Sequence, residues 1–181
     1  ILSQYLLRAH ATLIPDDKLL AKVDGVLNSI LLKGNAVGQV GFYGRGAGGD
    51  PTASAVVADL VDVARAQGCD AKHFVPALAF QPDAVREQTI LPIAECESAH
   101  YLSLKVADEA GVLKAITSIF AEFDISIEAI LQREPRGDED ATVSVITSVV
   151  PEHRFEAALK KLQALAFVRP GTSKFRVEHF S

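Results

Sequence analysis

Tyr101-Leu102-Ser103-Leu104-Lys105-Val106-Ala107-Asp108-Glu109-Ala110-Gly111-Val112-Leu113 changes its apolar period once. Leu102, Leu104 and Val106 alternate with Ser103 and Lys105, the period of a half-buried strand. Asp108 to Gly111 reads as a turn. Beyond it Val112, Leu113, Ile116, Ile119, Phe120 and Phe123 fall on one face of a helix. Downstream the pattern repeats. Ile125, Ile127, Ala129 and Leu131 alternate as a strand, and Pro135 to Asp140 is a charged turn. Val143, Val145, Thr147 and Val149 make a third strand. Phe155, Ala158, Leu159, Leu162 and Leu165 line a second helix after Pro151. Phe175, Val177 and His179 alternate in a last strand. The order βαββαβ is the split βαβ, or ferredoxin-like, plan. Four strands with two helices on one face form a self-sufficient domain, and its open face invites pairing.

Upstream of Tyr101 the chain weakens. From Gln67 to Ala99 it is broken by Pro76, Pro82 and Pro92 and reads as a long connection. Before that lies Gly44-Arg45-Gly46-Ala47-Gly48-Gly49-Asp50-Pro51-Thr52-Ala53-Ser54-Ala55, with four glycines within six residues. Val37 to Tyr43 reads as a strand leading in, and Val56, Val57, Leu60, Val61 and Ala64 as a helix leading out. Asp50 is the expected N-cap and Pro51 the expected first helical residue. Gly44, Gly46 and Gly49 satisfy the letters of the dinucleotide fingerprint. That fingerprint also needs a second parallel strand ending near an acidic residue, which is missing here. The turn therefore reads as a strand-to-helix connection and not a complete nucleotide site. Val26 to Leu32 and Val37 to Tyr43 are expected to pair through Gly34-Asn35 as a hairpin. Ala11 to Ile14 reads as a short strand stopped by Pro15-Asp16-Asp17, and Asp17 to Val23 as a turn or two of helix. No independent core is evident in this part.

The 181 residues are 49% hydrophobic and 23% charged, enough to bury a real core. The net charge of −5 argues against nucleic acid or an anionic membrane surface as partner. No apolar run reaches the length of a membrane span, and no signal-peptide pattern opens the chain. Cys69 and Cys96 lack metal spacing, which makes a reduced, cytoplasmic setting the default. The chain starts at Ile1 and contains no Met, as a piece of a longer protein would.

No catalytic constellation stands out, and no metal set. The five histidines are scattered, and each reads first as a surface or interface residue. Asp59 and Asp62 read as charges on a solvated helix face. The turn at Asp108 to Gly111 has two readings of equal weight. It is a simple capped turn, or its amides at Gly111, Val112 and Leu113 hold a small carboxylate, with Ser126 adding a hydroxyl. In the second reading Asp108 accepts from the ligand's ammonium group.

The glycine stretch with its Thr52-Ala53-Ser54-Ala55 continuation resembles the signature near the end of the catalytic region of bacterial homoserine dehydrogenases. Ala11-Thr12-Leu13-Ile14-Pro15 and Val23-Asp24-Gly25-Val26 match the same family in the same order. From Tyr101 on, Leu104 to Asp108 and Gly111-Val112-Leu113 resemble the loop of an ACT domain. That loop usually reads Asp-x-Pro-Gly, and Ala110 stands here in place of the proline.

The resemblance implies an α+β chain in two parts. Residues 1–90 are the end of the catalytic, substrate-binding and dimerisation domain with its linker. Residues 98–181 are an ACT regulatory domain. It implies an enzyme that interconverts aspartate semialdehyde and homoserine with NADP or NAD, bound mainly by an N-terminal domain this sequence does not contain. It implies no catalytic residue in the chain, cofactor contacts at Gly48 and Gly46, an amino-acid effector, threonine, and at least a dimer. The competing expectation is a non-catalytic amino-acid-binding ACT protein.

Overall fold

A computed structural model describes residues 5–67, 80, 82–133 and 140–179. A two-residue strand β1 (Thr12–Leu13) is followed by a 3-10 turn at Leu19–Lys22. Strands β2 (Leu27–Gly34) and β3 (Gly38–Arg45) form an antiparallel hairpin closed at Gly34 and Gly38. Helix α1 (Gly49–Gln67) comes next. Then follow β4 (Glu97–Val106), α2 (Val112–Glu122), β5 (Ile127–Arg133) and β6 (Ala141–Thr147). The short β7 (Val150–Pro151), α3 (Glu152–Gln163) and β8 (Ser173–Val177) complete the order. The expected turn at Pro135 to Asp140 lies, save its last residue, outside the described residues, as does most of Gly68 to Gln81.

The chain divides into two compact units, Asp16–Glu87 and Ile1–Pro15 with Gln88–Ser181. The compact unit that holds β4 to β8 thus also takes in the start of the chain. The reason is β1, which pairs in parallel with β8, Thr12 opposite Arg176 and Leu13 opposite Val177. The Tyr5 N–H donates to the Thr89 carbonyl (3.0 Å) and its carbonyl accepts from Leu91 N–H (2.8 Å). That clamp ties the start of the chain to the place where it returns to this unit.

In the second unit the strand order is β1-β8-β4-β6-β5, with β7 on the start of β4. Without β1 this is the ferredoxin-like sheet expected from the periodicity. Leu102, Leu104 and Val106 of β4 and Val143 and Val145 of β6 are buried in one core with Ile116 and Phe120 of α2 and Phe155 and Leu162 of α3. The Asp16–Glu87 unit differs. None of its described residues is buried, and Ile30, Phe42, Tyr43, Val57 and Leu60 are exposed.

His100 departs from the expectation of a surface histidine. It is 2% exposed, and its ring stacks on Phe155 at 3.8 Å between centroids and 4° between planes. Beside it Glu152, also buried, accepts a bidentate pair from Arg176 (Nε 3.0 Å, Nη2 2.8 Å). Burial, helped by the Arg176 and Lys174 charges and opposed by Glu156, lowers the His100 pKa from 6.5 to about 4. An unfolded chain takes up this proton as the pH falls through 6.5, while the folded one refuses it until near 4. The folded state is therefore penalised as the pH falls across that window. Between pH 7.5 and pH 5.0 the loss from this group is about 2 kcal/mol. His100→Phe should lose that much less over the same interval in urea denaturation. Equal losses in the two proteins would show that His100 does not titrate this way.

Candidate functional site

Two loops carry the expected site residues, one in each unit. In the first unit the chain passes from β3 to α1 through Gly46, Ala47 and Gly48. The Gly48 carbonyl accepts the first helical bond, from Thr52 N–H at 3.1 Å. Gly48 is thus the capping residue, and Asp50 and Pro51 lie inside the first turn rather than at the cap and first position. Proline is tolerated there because first-turn amides have no helical acceptor.

Gly48 has φ +128, a conformation that side chains rarely adopt, and a Cβ on it would stand 3.3 Å from Pro51 Cδ. A Cβ on Gly46 would fall 2.0 Å from Asn28 Nδ2. The shape of the turn thus requires glycine at Gly48, whereas a side chain at Gly46 would only have to displace the Asn28 side chain. At Gly44 and Gly49 an added Cβ would meet nothing within 4 Å, and neither needs a positive φ. These two satisfy letters of the fingerprint but are not among the expected cofactor contacts, although the space beside their backbone is open. That open backbone, beside the start of a 19-residue helix, fits a dinucleotide's polar groups, and the Asp50 carboxylate opposes a phosphate directly on the axis.

In the second unit Asp108 to Gly111 joins β4 to α2. Gly111 caps α2 at φ +96, and its carbonyl accepts from Ala115 N–H at 3.0 Å. A Cβ there would meet nothing within 4 Å, so the space over the cap is open. Glu109 N–H donates to the Ala107 carbonyl (3.0 Å). Val112 N–H points to the Glu109 carbonyl at 3.5 Å, so this amide turns into the loop instead of outward. The Val112 side chain is in the core, and Asp108 and Leu113 are exposed.

Ser126 is not part of this cluster. It follows α2, whose 11 residues rise about 17 Å from Gly111. The Ser126 carbonyl accepts from Ser148 N–H (2.8 Å), at the end of the sheet away from Val106. Within one copy Ser126 does not reach a ligand at Gly111. The sequence distance of 15 residues hid a helix's length between them.

Among the described residues no group of three or more His, Cys, Asp or Glu could hold a metal ion. No described helix is long and apolar enough to cross a membrane. Cys96 is a buried free thiol against the Pro92 carbonyl (3.6 Å). Asp62 makes an exposed pair with Arg65 (3.8 Å), as a solvated face would.

Sequence models of two families match the chain, homoserine dehydrogenase over residues 1–61 and the ACT domain over residues 100–167. The homoserine dehydrogenase of Pseudomonas aeruginosa is 47% identical over 181 residues, covering 99% of this chain and 42% of the relative. That of Neisseria gonorrhoeae is 42% identical, covering 95% of this chain and 40% of the relative. The chain thus spans about two fifths of the length of the curated relatives it matches. The crystal structure of a homoserine dehydrogenase from Thiobacillus denitrificans superposes with a TM-score of 0.86 at 45% identity, over 97% of this chain and 39% of that one. The chain thus corresponds to the C-terminal portion of homoserine dehydrogenases, with an ACT domain matched over residues 100–167.

Proposed function

We propose that the chain works as part of an enzyme that interconverts aspartate semialdehyde and homoserine, and that its ACT domain senses an amino acid. The observation that carries this reading is the continuous correspondence with homoserine dehydrogenases across 99% of the chain. In this reading residues 1–90 serve the catalytic domain and residues 98–181 regulate it, in a cytoplasmic setting. The β1–β8 pairing then makes the N-terminal segment a physical link between the two.

The cofactor is NADP or NAD, and when bound it supplies or accepts the hydride. This chain's part is to close over it. Gly48 holds the turn in shape, Gly46 lets it pack against Asn28, and the open backbone at Gly44 and Gly49 lets polar groups of the cofactor approach. No residue here acts on the reacting carbon. The effector is threonine, with its carboxylate at the Gly111 and Leu113 amides and its ammonium facing Asp108. The loop with Ala110 in place of proline must be ordered on binding, which lowers affinity.

Three measurements test this reading. The purified chain should form no measurable NADPH or NADH from homoserine, because half a site loses the positioning that carries most of the rate. Turnover by the chain itself, free of host enzyme, would refute that. Light scattering at tens of micromolar should give at least a dimeric mass, since the exposed apolar face of the hairpin and α1 favours self-association. A monomeric mass would count against it. Calorimetric titration with threonine should give heat with the wild-type chain and none with Gly111→Val, whose branched side chain disfavours φ +96. A melting curve for each checks that the variant is folded. Equal heats from both would rule out the loop.

A further inference from the structure

At the end of the sheet away from Gly111 lies a cavity of about 170 Å³ in the second unit. His10 and Ala11, just before β1, form one wall, and His100, Glu152, Lys174 and Arg176 contribute the rest of its polar lining. His100 Nε2 is buried and has no hydrogen-bond partner, alone in this among the buried side-chain nitrogens and oxygens of the described residues. A buried polar atom left unpaired destabilises the fold, so an unfilled partner position beside it calls for an explanation.

The lining chemistry narrows the occupant. Nε2 faces Glu152 Oε2 at 3.7 Å, too far for a hydrogen bond but close enough to favour the proton on that nitrogen. His100 is therefore a donor without an acceptor. Glu152 cannot serve fully, because both its oxygens are taken by Arg176. Lys174 supplies a second donor. Its partner Glu156 lies outside the lining and is 43% exposed, so that pair is exchanged at little cost. Two cations stand against one carboxylate around the space. A ligand with a carboxylate would accept from both His100 and Lys174. The volume is close to that of a cavity that holds benzene, about 150 Å³, which limits the ligand to a handful of heavy atoms.

We propose that this cavity, between the segment leading into β1 and the first turn of α3, binds a small organic carboxylate through His100 Nε2–H and Lys174. The site is separate from the loop at Asp108 to Leu113. Val106 and His100 are six residues apart along β4, about 20 Å. It needs no part of the cofactor turn. Its occupant touches both His10-Ala11 and the ACT sheet, so binding fastens the N-terminal segment to that sheet.

The test uses the whole 181-residue chain at pH 7.5. Sodium acetate is titrated at constant ionic strength against sodium chloride, with the His100 ring and the Ala11 amide followed by NMR. Acetate should shift both signals saturably, with a midpoint in the millimolar range, and chloride should not. Lys174→Gln, a change at a half-exposed side chain, should weaken binding at least tenfold with an unchanged melting temperature. His100→Phe keeps the stack on Phe155 and should abolish the shift at Ala11. No saturable shift, as a trapped water molecule would give, overturns the proposal. So do shifts confined to Gly111–Leu113, an unaltered midpoint in Lys174→Gln, or saturation by inorganic phosphate with acetate silent.

Discussion

Strand β4 is hydrogen-bonded along both edges, to β6 from Tyr101 to Val106 and to β8 from Ala99 to Ser103, and at its start to β7. Every other element of the second unit is fixed by reference to it. Its alternation puts His100, Leu102, Leu104 and Val106 on the side of the two helices and leaves Tyr101, Ser103 and Lys105 on the other. A slip of one residue would reverse both faces, so the register is held by the core itself. The loop that caps α2 and the cavity at His100 are the two ends of this one strand. Their separation is therefore a property of strand length, and no local loop change alters it.

The elements that local periodicity describes were legible. The alternation from Leu102 and the helical spacing from Val112 predict β4 and α2, and Leu27–Gly34 pairs with Gly38–Arg45 as the hairpin pattern implies. What pairs at long range was not. Thr12–Leu13 is too short to show a period, and its partner β8 lies at the other end of the sequence. Glycine positions marked both candidate loops, yet the sequence could not say which amides face outward. Val112 N–H turns inward, and the cap falls on Gly48 instead of Asp50. His100 is hidden for a different reason. A lone histidine in an alternating strand carries no mark of its environment, and only the convergence of Phe155, Glu152 and Arg176 makes it distinctive.

The two units show how differently one composition can be used. The second has a closed core in which Phe120 and Phe155 are fully buried. The first leaves apolar residues uncovered on both faces of the hairpin, with Phe42 58% and Tyr43 73% exposed in the single chain. An isolated two-stranded hairpin and one helix do not supply a second layer to each other's free sides. Such a face is stable only when covered, which agrees with a chain that corresponds to two fifths of its relatives.

The clamp at Tyr5 gives the first unit an unusual covalent situation. Asp16–Glu87 is an excursion that starts and finishes on the same body, and β1 on β8 with the Tyr5 bridge to Thr89 and Leu91 closes it into a loop. The closure of that loop is enforced by the second unit's stability, so the hairpin and helix fold as a tethered ring rather than a free segment. A backbone cut inside the excursion would leave two fragments held together by β1 on β8, by the Tyr5 bridge, and by Arg8 on Ser98 and Glu178. The ACT sheet would then act as the splint of a nicked protein.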